Sequence, residues 1–188
     1  MSKLTEILLA RPGIYRLFRK VTGSERLNRE FVNRYVRPHD GEAILDVGCG
    51  PGDALQLMPR VQYVGIDLSR DYIALAQARF SNRATFVCGN LKDLNYGQFS
   101  QFDAVIAMGV LHHLDDRAVG ELLSKIRRLL KPGGRFVSYD PCFTEPQHPF
   151  ARWVHRHDRG QYVRFDQEYE TLIASVFDDY SCDIRTDL

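Results

Sequence analysis

Short apolar runs alternate with amphipathic segments along most of this 188-residue chain. From residue 42 onward, the pattern predicts strands at about 43–47, 61–66, 84–88, 102–107 and 134–139. Between these strands it predicts helices near 53–58, 70–80 and 116–130. Because strands that alternate with helices usually form a parallel sheet covered on both faces, the pattern predicts an α/β fold.

The predicted helix at 116–130 has the clearest pattern. Its apolar residues recur at helical spacing and form one stripe, made of Ala118, Val119, Leu122, Leu123, Ile126, Leu129 and Leu130. Asp115 or Asp116 can cap its start, and the Lys131-Pro132-Gly133-Gly134 segment is expected to end it. The stripe predicts a helix with one face packed on the sheet.

Both ends of the chain predict additional elements. Residues 1–37 have helical spacing, with nine Lys or Arg against three Glu. This composition fits either solvated faces of helices packed on the sheet or a lid whose cations meet a carboxylate of a cofactor or substrate. Near the other end, the pattern predicts a helix at 166–176 and a sixth strand at 179–187.

Composition narrows the class of protein. The length suits one domain, and an apolar fraction of 44% is enough for a full core. A net charge of +1 disfavours wholesale nucleic-acid binding. No apolar run approaches the roughly 20 residues of a membrane span. The four cysteines form no paired-ligand pattern, so we expect reduced thiols, no metal site and a cytoplasmic location.

The first predicted strand leads into a loop with glycine at every second position. The segment is Ala43-Ile44-Leu45-Asp46-Val47-Gly48-Cys49-Gly50-Pro51-Gly52. A strand, a glycine loop and a helix together let a backbone approach a nucleotide-like ligand closely. A dinucleotide site would have its third glycine at position 53, where this chain has Asp53. The spacing therefore disfavours a nicotinamide oxidoreductase.

Further motifs follow the later strands in order. They are Tyr63-Val64-Gly65-Ile66-Asp67-Leu68-Ser69, Phe86-Val87-Cys88-Gly89-Asn90-Leu91, Met108-Gly109-Val110-Leu111-His112-His113-Leu114 and Arg135-Phe136-Val137-Ser138-Tyr139-Asp140-Pro141. Asp67 lies about 20 residues after Asp46, the distance at which a carboxylate in nucleoside-binding folds accepts from ribose hydroxyls. Asp67 could alternatively cap the helix that follows, although Ser69 already offers a capping hydroxyl.

Together these segments, from about Arg37 to about Pro141, resemble the class I S-adenosylmethionine-dependent methyltransferases of the small-molecule type. The resemblance implies a Rossmann-like, doubly wound, mostly parallel sheet in the strand order 3-2-1-4-5-6, with helices on both faces. That family usually adds a seventh, antiparallel strand. The sequence supplies no such strand, so the chain is truncated before it, a partner strand fills the gap, or the protein lacks it. Because a bare gap would leave unpaired edge groups on two strands, truncation is the expectation.

The resemblance also implies a cofactor, S-adenosyl-L-methionine. The residues implied to bind it are Asp46, Gly48, Cys49, Gly50, Gly52, Asp67, Leu68, Asn90, Leu91, Met108 and Gly109. Among them, Asp46 would accept from the cofactor's ammonium, unless it is only a cap. Asn90 stands where the family usually has aspartate; its amide oxygen could still accept from the adenine amino group, or it could be an ordinary turn residue.

Three residues are candidates for chemistry on the acceptor: His112, Asp140 and His148. His112 could instead hold its own loop by hydrogen bonds. Asp140, at the carboxyl end of a central strand, could orient the acceptor, take its proton or cap a turn. His148 lies in residues 142–164, which combine Arg152, Arg156, Arg159 and Arg164 with Trp153 and Tyr162. This combination suits a small anionic or sugar-like acceptor, or else a helix with a charged solvent face.

The sequence thus predicts one domain with four parts: an N-terminal helical lid (1–37), a cofactor-binding core (38–141), an acceptor-side insertion (142–165) and a last helix and strand (166–188). The predicted function is methyl transfer to a small-molecule acceptor, with neither nucleic acid nor membrane as a partner. One alternative is a non-catalytic or regulatory S-adenosylmethionine-binding protein. Another is a nucleic-acid methyltransferase, but no N-P-P-Y-type tetrapeptide is present.

Overall fold

Five parallel strands form the central sheet of the computed structural model, in the order β3-β2-β1-β4-β5. The structure describes residues 24–91, 101–147, 152 and 161–185. The strands are β1 (Ala43–Val47), β2 (Gln62–Asp67), β3 (Ala84–Cys88), β4 (Phe102–Met108) and β5 (Leu130–Tyr139). The predicted α/β class and the predicted order of these five strands are confirmed.

β1 is the central strand, and its sequence explains why. All five of its residues are buried, and it pairs with β2 on one side and β4 on the other. A continuous apolar run suits a strand that is covered on both faces. Leu45 packs into one apolar cluster and Ile44 into the other, so β1 separates two cores.

Helices cover both faces, as predicted. α3 (Asp116–Leu129) and α4 (Asp166–Ala174) lie on one face. α1 (Ser24–Glu30), which continues as a π-helix over Phe31–Val36, lies on the other with α2 (Arg70–Phe80). The predicted helix at 53–58 is a short 3₁₀-helix, Ala54–Leu57. A second 3₁₀-helix, Leu111–His113, follows β4.

Side chains at the helix starts account for two of these boundaries. The Ser69 hydroxyl accepts a hydrogen bond from the Tyr72 amide at the start of α2. The Asp115 carboxylate accepts from the Ala118 amide at the start of α3. Each cap satisfies one of the backbone donors that a helix leaves open at its first turn, which fixes where the helix begins.

β5 begins earlier than predicted. It starts at Leu130, directly after α3, and its pairing with β4 is irregular near its beginning. A Cβ on Gly134 would lie 3.0 Å from the Phe102 carbonyl oxygen, so glycine allows the two backbones to approach here. The segment expected to end the helix is therefore also the first part of the strand.

The predicted sixth strand at 179–187 is wrong within the residues that the structure describes. Residues 180–185 form no strand; instead, Asp183 accepts from the Tyr35 hydroxyl, and Arg185 pairs with Glu30. These side chains bind the helical segment that begins with α1. In a strand, the backbone of the same residues would instead have to form hydrogen bonds with a neighbouring strand. A two-stranded parallel sheet is formed instead by β6 (Cys142–Phe143) and β7 (Arg164–Phe165).

Two other expectations concern the N-terminal lid and membrane-spanning segments. Residues 24–36 are helical, as predicted, but the remainder of the expected lid, residues 1–23, lies outside the described residues. Within the described ranges, none of the helices combines the length and the apolar character that crossing a bilayer would require.

Candidate functional site: a cofactor loop and a buried His–Asp pair

The glycine loop turns sharply at the carboxyl end of β1. Gly48, Gly50 and Gly52 have φ angles of 72°, 53° and 78°, which residues with a Cβ rarely adopt. The amides of Gly48 and Cys49 both donate to the Ile66 carbonyl, at 2.8 and 3.0 Å, and so tie the loop to β2. A Cβ added at Gly50 would meet no atom of the described residues within 4 Å, so within this part of the chain the loop borders open space.

Asp67 lies beside this open space. Its Oδ2 accepts from the Gly50 amide at 2.9 Å, and its Oδ1 accepts from the Ser69 amide at 2.8 Å. Each carboxylate oxygen can accept a further hydrogen bond, so the half-buried Asp67 can still bind hydroxyl groups. The next residue, Leu68, is 72% exposed and offers an apolar surface at the same edge.

Asp46 is more enclosed than the sequence suggests. It is 3% exposed, and the buried Tyr63 hydroxyl donates to its Oδ2. Burial raises the pKa of Asp46 from its ordinary value near 3.8 to about 7. Burial also raises the pKa of the Cys49 thiol, so Cys49 is a protonated packing residue of the loop. A contact between Asp46 and a ligand ammonium remains a prediction.

The end of β3 lies beside Asp67. The Gly89 amide donates to the Asp67 carbonyl at 3.0 Å. Next to it, Asn90 is exposed and Leu91 is 4% exposed. The topology therefore brings the predicted ribose residue and the predicted adenine residues to one edge of the sheet.

β4 and β5 bring together the first two candidates for acceptor chemistry. Asp140 Oδ1 lies 2.7 Å from His112 Nδ1 and 3.1 Å from the His112 backbone nitrogen, which donates to it. The two side chains are 7% and 4% exposed for His112 and Asp140, respectively. The other carboxylate oxygen, Asp140 Oδ2, is buried and has no hydrogen-bond partner among the residues that the structure describes. If His112 Nδ1 carries its proton, this contact orients the imidazole ring.

Met108 and Gly109 form the backbone that links this pair to the glycine loop. The Gly109 amide donates to the Tyr139 carbonyl at 2.7 Å, and its φ is 69°. Val110 lies directly against Gly48: a Cβ on that glycine would be 2.6 Å from Val110 Cγ2. The predicted cofactor loop and the predicted acceptor residues are therefore adjacent parts of one site.

The acceptor-side cations are placed differently from the prediction. The Arg164 guanidinium is 7% exposed and donates to the carbonyls of Leu111, Leu114 and Tyr162 as well as to Asp116. It is therefore a structural residue, unavailable for an anionic acceptor. Arg152 lies 3.8 Å from Glu145. His148, Trp153, Arg156 and Arg159 lie outside the described residues.

Two residues of the site were missed at the level of sequence. Tyr63, on β2, supplies the partner of Asp46, and Arg79, at the end of α2, binds Pro51 within the glycine loop and Asp53 just after it. Tyr63 is the first residue of the Tyr63–Ser69 motif, but from the sequence it resembles an ordinary buried residue of a strand. Arg79 looks like a solvated cation in the last turn of a helix, so only the fold shows its partners.

The donor and acceptor set fits S-adenosyl-L-methionine. Open space at Gly50, a fixed carboxylate at Asp67 and an exposed apolar side chain at Leu68 match a ribose and a flat base. The loop would pass beside the remainder of the molecule, and its glycines leave the necessary room.

Comparison with known proteins agrees with this geometry. A family model described as a methyltransferase domain matches residues 44–134. A demethylmenaquinone methyltransferase of Symbiobacterium thermophilum is 33% identical, over 69% of this chain and 52% of that protein. The ubiquinone/menaquinone biosynthesis C-methyltransferase UbiE of Desulfotalea psychrophila is 30% identical, over 94% of this chain and 76% of that protein. Further relatives are named as O-methyltransferases.

The fold has solved counterparts. The YcgJ protein from Bacillus subtilis superposes with a TM-score of 0.64 at 21% identity, over 80% of this chain and 67% of that one. At this identity the likeness concerns the fold. The glycine loop, the ordered motifs, the five-stranded sheet and the UbiE similarity agree. The chain therefore belongs to the class I S-adenosylmethionine-dependent methyltransferases.

Proposed function

We propose that this chain transfers a methyl group from S-adenosylmethionine to a neutral small molecule that has a hydroxyl group at or next to the methylated atom. The observation that carries the proposal is the buried His112–Asp140 pair at the carboxyl ends of β4 and β5, in which Asp140 Oδ2 has no partner within the described part of the chain. Ligands of open parallel sheets bind at this edge.

The unpartnered oxygen favours an acceptor that can donate a hydrogen bond. A buried acceptor atom without a partner costs roughly 1–3 kcal/mol, and more when it is charged. A hydroxyl from the bound acceptor would offset that cost at Asp140 Oδ2, provided that the atoms covering this buried oxygen move aside when the acceptor binds. An acceptor with only carbonyl or ether oxygens would leave the oxygen unsatisfied.

The two cations of the acceptor-side insertion that the structure describes give little support to an anionic acceptor. The Arg164 guanidinium already donates to three carbonyls and to Asp116, and Arg152 lies near Glu145. Of the acceptor types that the sequence suggested, the sugar-like one and other hydroxyl-bearing molecules fit this arrangement better. The names of the relatives, which include quinone C-methyltransferases and O-methyltransferases, are compatible with methyl transfer to carbon or to oxygen.

In the proposed reaction, the cofactor, the His112–Asp140 pair and the glycine loop with Asp67 have separate roles. When bound, S-adenosylmethionine supplies a methyl group activated by a positively charged sulfur. Asp140 Oδ2 holds the acceptor hydroxyl, and the His112–Asp140 pair takes up its proton as the oxygen becomes nucleophilic. The glycine loop and Asp67 hold the donor side in place, so that the two reactants meet in a fixed orientation.

A panel of acceptors tests the proposal. The purified protein is incubated with methyl-labelled S-adenosylmethionine and with sugars, phenols, hydroquinones, carboxylic acids and amines, each hydroxyl compound being paired with its deoxy or methyl-ether analogue. We expect labelling of hydroxyl compounds and none of their analogues. The variant Asp140→Asn should reduce kcat by about 100-fold, because general-base assistance typically contributes that much or more. Its affinity for adenosylhomocysteine should stay unchanged.

The exposed carboxylate Asp179 provides the matched control. Asp179→Asn should behave like the wild type in both assays. Methylation that is equally fast with Asp140→Asn would refute the assigned role of the pair. Adenosylhomocysteine binding without labelling of any compound in the panel would favour the non-catalytic, cofactor-binding alternative.

A further inference from the structure

Arg79 joins the end of α2 to the second half of the glycine loop and to the residues that follow it. Its Nη1 donates to the Pro51 carbonyl at 2.6 Å and to Asp53 Oδ1 at 2.7 Å. Its Nη2 donates to Gln56 Oε1 at 3.1 Å. The side chains of Arg79 and Asp53 are 25% and 12% exposed, so this ion pair is largely shielded from water. One guanidinium thus binds three points within six residues.

We propose that Arg79 is a positioning residue for the cofactor: it fixes the glycine loop in its binding conformation by holding Pro51 and Asp53. Arg79 acts through the loop and needs no contact with the cofactor. The inference rests on the family membership and on the loop geometry. It does not depend on which acceptor is methylated, so a failure of the proposed acceptor chemistry would not contradict it.

The loop needs such support because of its composition. Glycines lose more conformational freedom on ordering than other residues, so an alternating-glycine loop is costly to hold in one shape. Its first half is held by the amides of Gly48, Cys49 and Gly50, which bond to Ile66 and Asp67. In the second half, the Gly52 amide donates to the Cys49 carbonyl at 3.0 Å within the loop itself. Pro51 has no N–H, and its carbonyl accepts from Arg79, which ties this half to α2.

The neighbouring residue on α2 strengthens this connection. A Cβ on Gly52 would lie 3.0 Å from Phe80 Cε2, so the Phe80 ring packs directly on the loop. The Arg79 guanidinium lies 4.9 Å from the centre of the same ring. The last turn of α2 therefore contacts the loop through an aromatic ring and through a charged fork of hydrogen bonds.

Asp53 gains a role from this arrangement. It stands where a dinucleotide-binding loop would have its third glycine, and it is 9% exposed. Its carboxylate is neutralised by Arg79. The loop is thus closed by an ion pair at the position where a dinucleotide loop needs close packing between helix and strand.

Calorimetric binding of adenosylhomocysteine tests the inference. We expect Arg79→Met to weaken binding about tenfold or more, because the loop must then be ordered when the ligand binds. Arg79→Lys should recover part of the affinity, since an ammonium can still pair with Asp53 but cannot reproduce the fork. Arg70→Met removes an exposed arginine from the first turn of the same helix and should bind like the wild type.

A purely structural role predicts a different result. Arg79→Met would then lower the midpoint of thermal unfolding while leaving the dissociation constant within about twofold of the wild type, which would overturn the inference. Should Arg79→Met fail to fold, Asp53→Asn gives the same test, because it preserves the shape and removes the charge. Asp53→Asn is expected to weaken adenosylhomocysteine binding as well, and unchanged affinity would refute the proposal.

Discussion

The Gly50 amide donates a 2.9 Å hydrogen bond to Asp67 Oδ2, so the glycine loop and the carboxylate at the end of β2 are one structural unit. These two residues are 17 positions apart in sequence. Because β1 and β2 pair in parallel register, their carboxyl ends meet at one edge, and the loop after β1 reaches the last residue of β2. A change at either residue should therefore affect the same ligand.

The first prediction concerns Asp67. Replacement by alanine removes both its hydrogen bond to the loop and its proposed bonds to ribose hydroxyls. Hydrogen bonds to charged groups contribute roughly 1.5–3 kcal/mol, so we expect Asp67→Ala to weaken adenosylhomocysteine binding at least tenfold in calorimetry. The exposed Asp71, in the first turn of α2, is the control, and Asp71→Ala should leave the affinity unchanged. Equal affinities for all three proteins would show that Asp67 does not hold the ligand.

The second prediction separates two glycines of the loop. Gly48 and Gly50 both have positive φ, so alanine at either costs roughly 1–2 kcal/mol of folding free energy. At Gly48 the new Cβ also clashes with Val110, whereas at Gly50 it meets no atom of the described residues within 4 Å. We expect Gly48→Ala to be clearly the less stable variant in urea unfolding. Gly50→Ala should fold but lose most of its affinity for adenosylhomocysteine, because its methyl group occupies the space assigned to the ligand.

If Gly50→Ala bound the ligand like the wild type, the cofactor would have to lie elsewhere. The comparison with Gly48→Ala supplies the control for backbone strain, since both positions have left-handed conformations. We expect Gly50→Ala to lose more binding free energy for adenosylhomocysteine than it loses in unfolding free energy.

Much of this site could be predicted from sequence because its residues follow strands. The carboxyl ends of parallel strands converge, so finding β1, β2 and β4 already placed Asp46, Asp67 and Met108 on one edge. The partner of a long side chain is harder to predict. Arg164 looked like an anion-binding cation, but its partners are carbonyls some 50 residues away in sequence, which no local pattern reveals.

In the segment of the predicted sixth strand, side-chain contacts with a distant helix are formed in place of strand pairing. Residues 179–187 mix apolar and polar positions in a way that suits an edge strand. Within the described part, however, Asp183 and Arg185 find partners on the helical segment 24–36. Favourable ion pairs to another element replaced the backbone pairing that the pattern predicts, and the sequence alone contains no information on that contact.

The third prediction concerns pH. Burial raises the pKa of Asp46 from its ordinary value near 3.8 to about 7 in the folded protein. Between about pH 4 and pH 7 the folded state keeps a proton that the unfolded state releases, so stability should fall as pH rises, by up to about 1.4 kcal/mol per pH unit. Above about pH 7 both states are ionised and the cost is fully present. Asp46→Asn keeps an acceptor for the Tyr63 hydroxyl and removes the titration.

Urea unfolding at several pH values measures this effect. The difference in unfolding free energy between Asp46→Asn and the wild type should grow in favour of the variant from pH 5 to pH 7 and then level off. Asp71→Asn, at an exposed position, corrects for the general effect of losing one negative charge. Parallel curves for the wild type and Asp46→Asn would show that Asp46 is not buried in the way described.

The fourth prediction tests the structural role of Arg164. Its guanidinium holds the carbonyls of Leu111 and Leu114 on either side of His112, and the Tyr162 amide binds the His112 carbonyl. Arg164→Met leaves three buried or half-buried carbonyls without this donor, so we expect a loss of about 2–4 kcal/mol in unfolding free energy. The Asp116 side chain is 78% exposed, so its charge adds little to that cost once it is left alone.

Arg117 provides the contrast because its side chain is 89% exposed and pairs with Glu121 one helical turn away. Such surface pairs contribute about 0.5 kcal/mol or less, so Arg117→Met should be nearly neutral. Methyl transfer should fall in Arg164→Met because the loop that contains His112 loosens, while adenosylhomocysteine affinity should persist because the glycine loop keeps its own hydrogen bonds to Ile66, Asp67 and Arg79. If Arg164→Met instead kept the wild-type stability and lost affinity for carboxylate acceptors only, Arg164 would be an anion-binding residue, and the neutral-acceptor proposal would have to be abandoned.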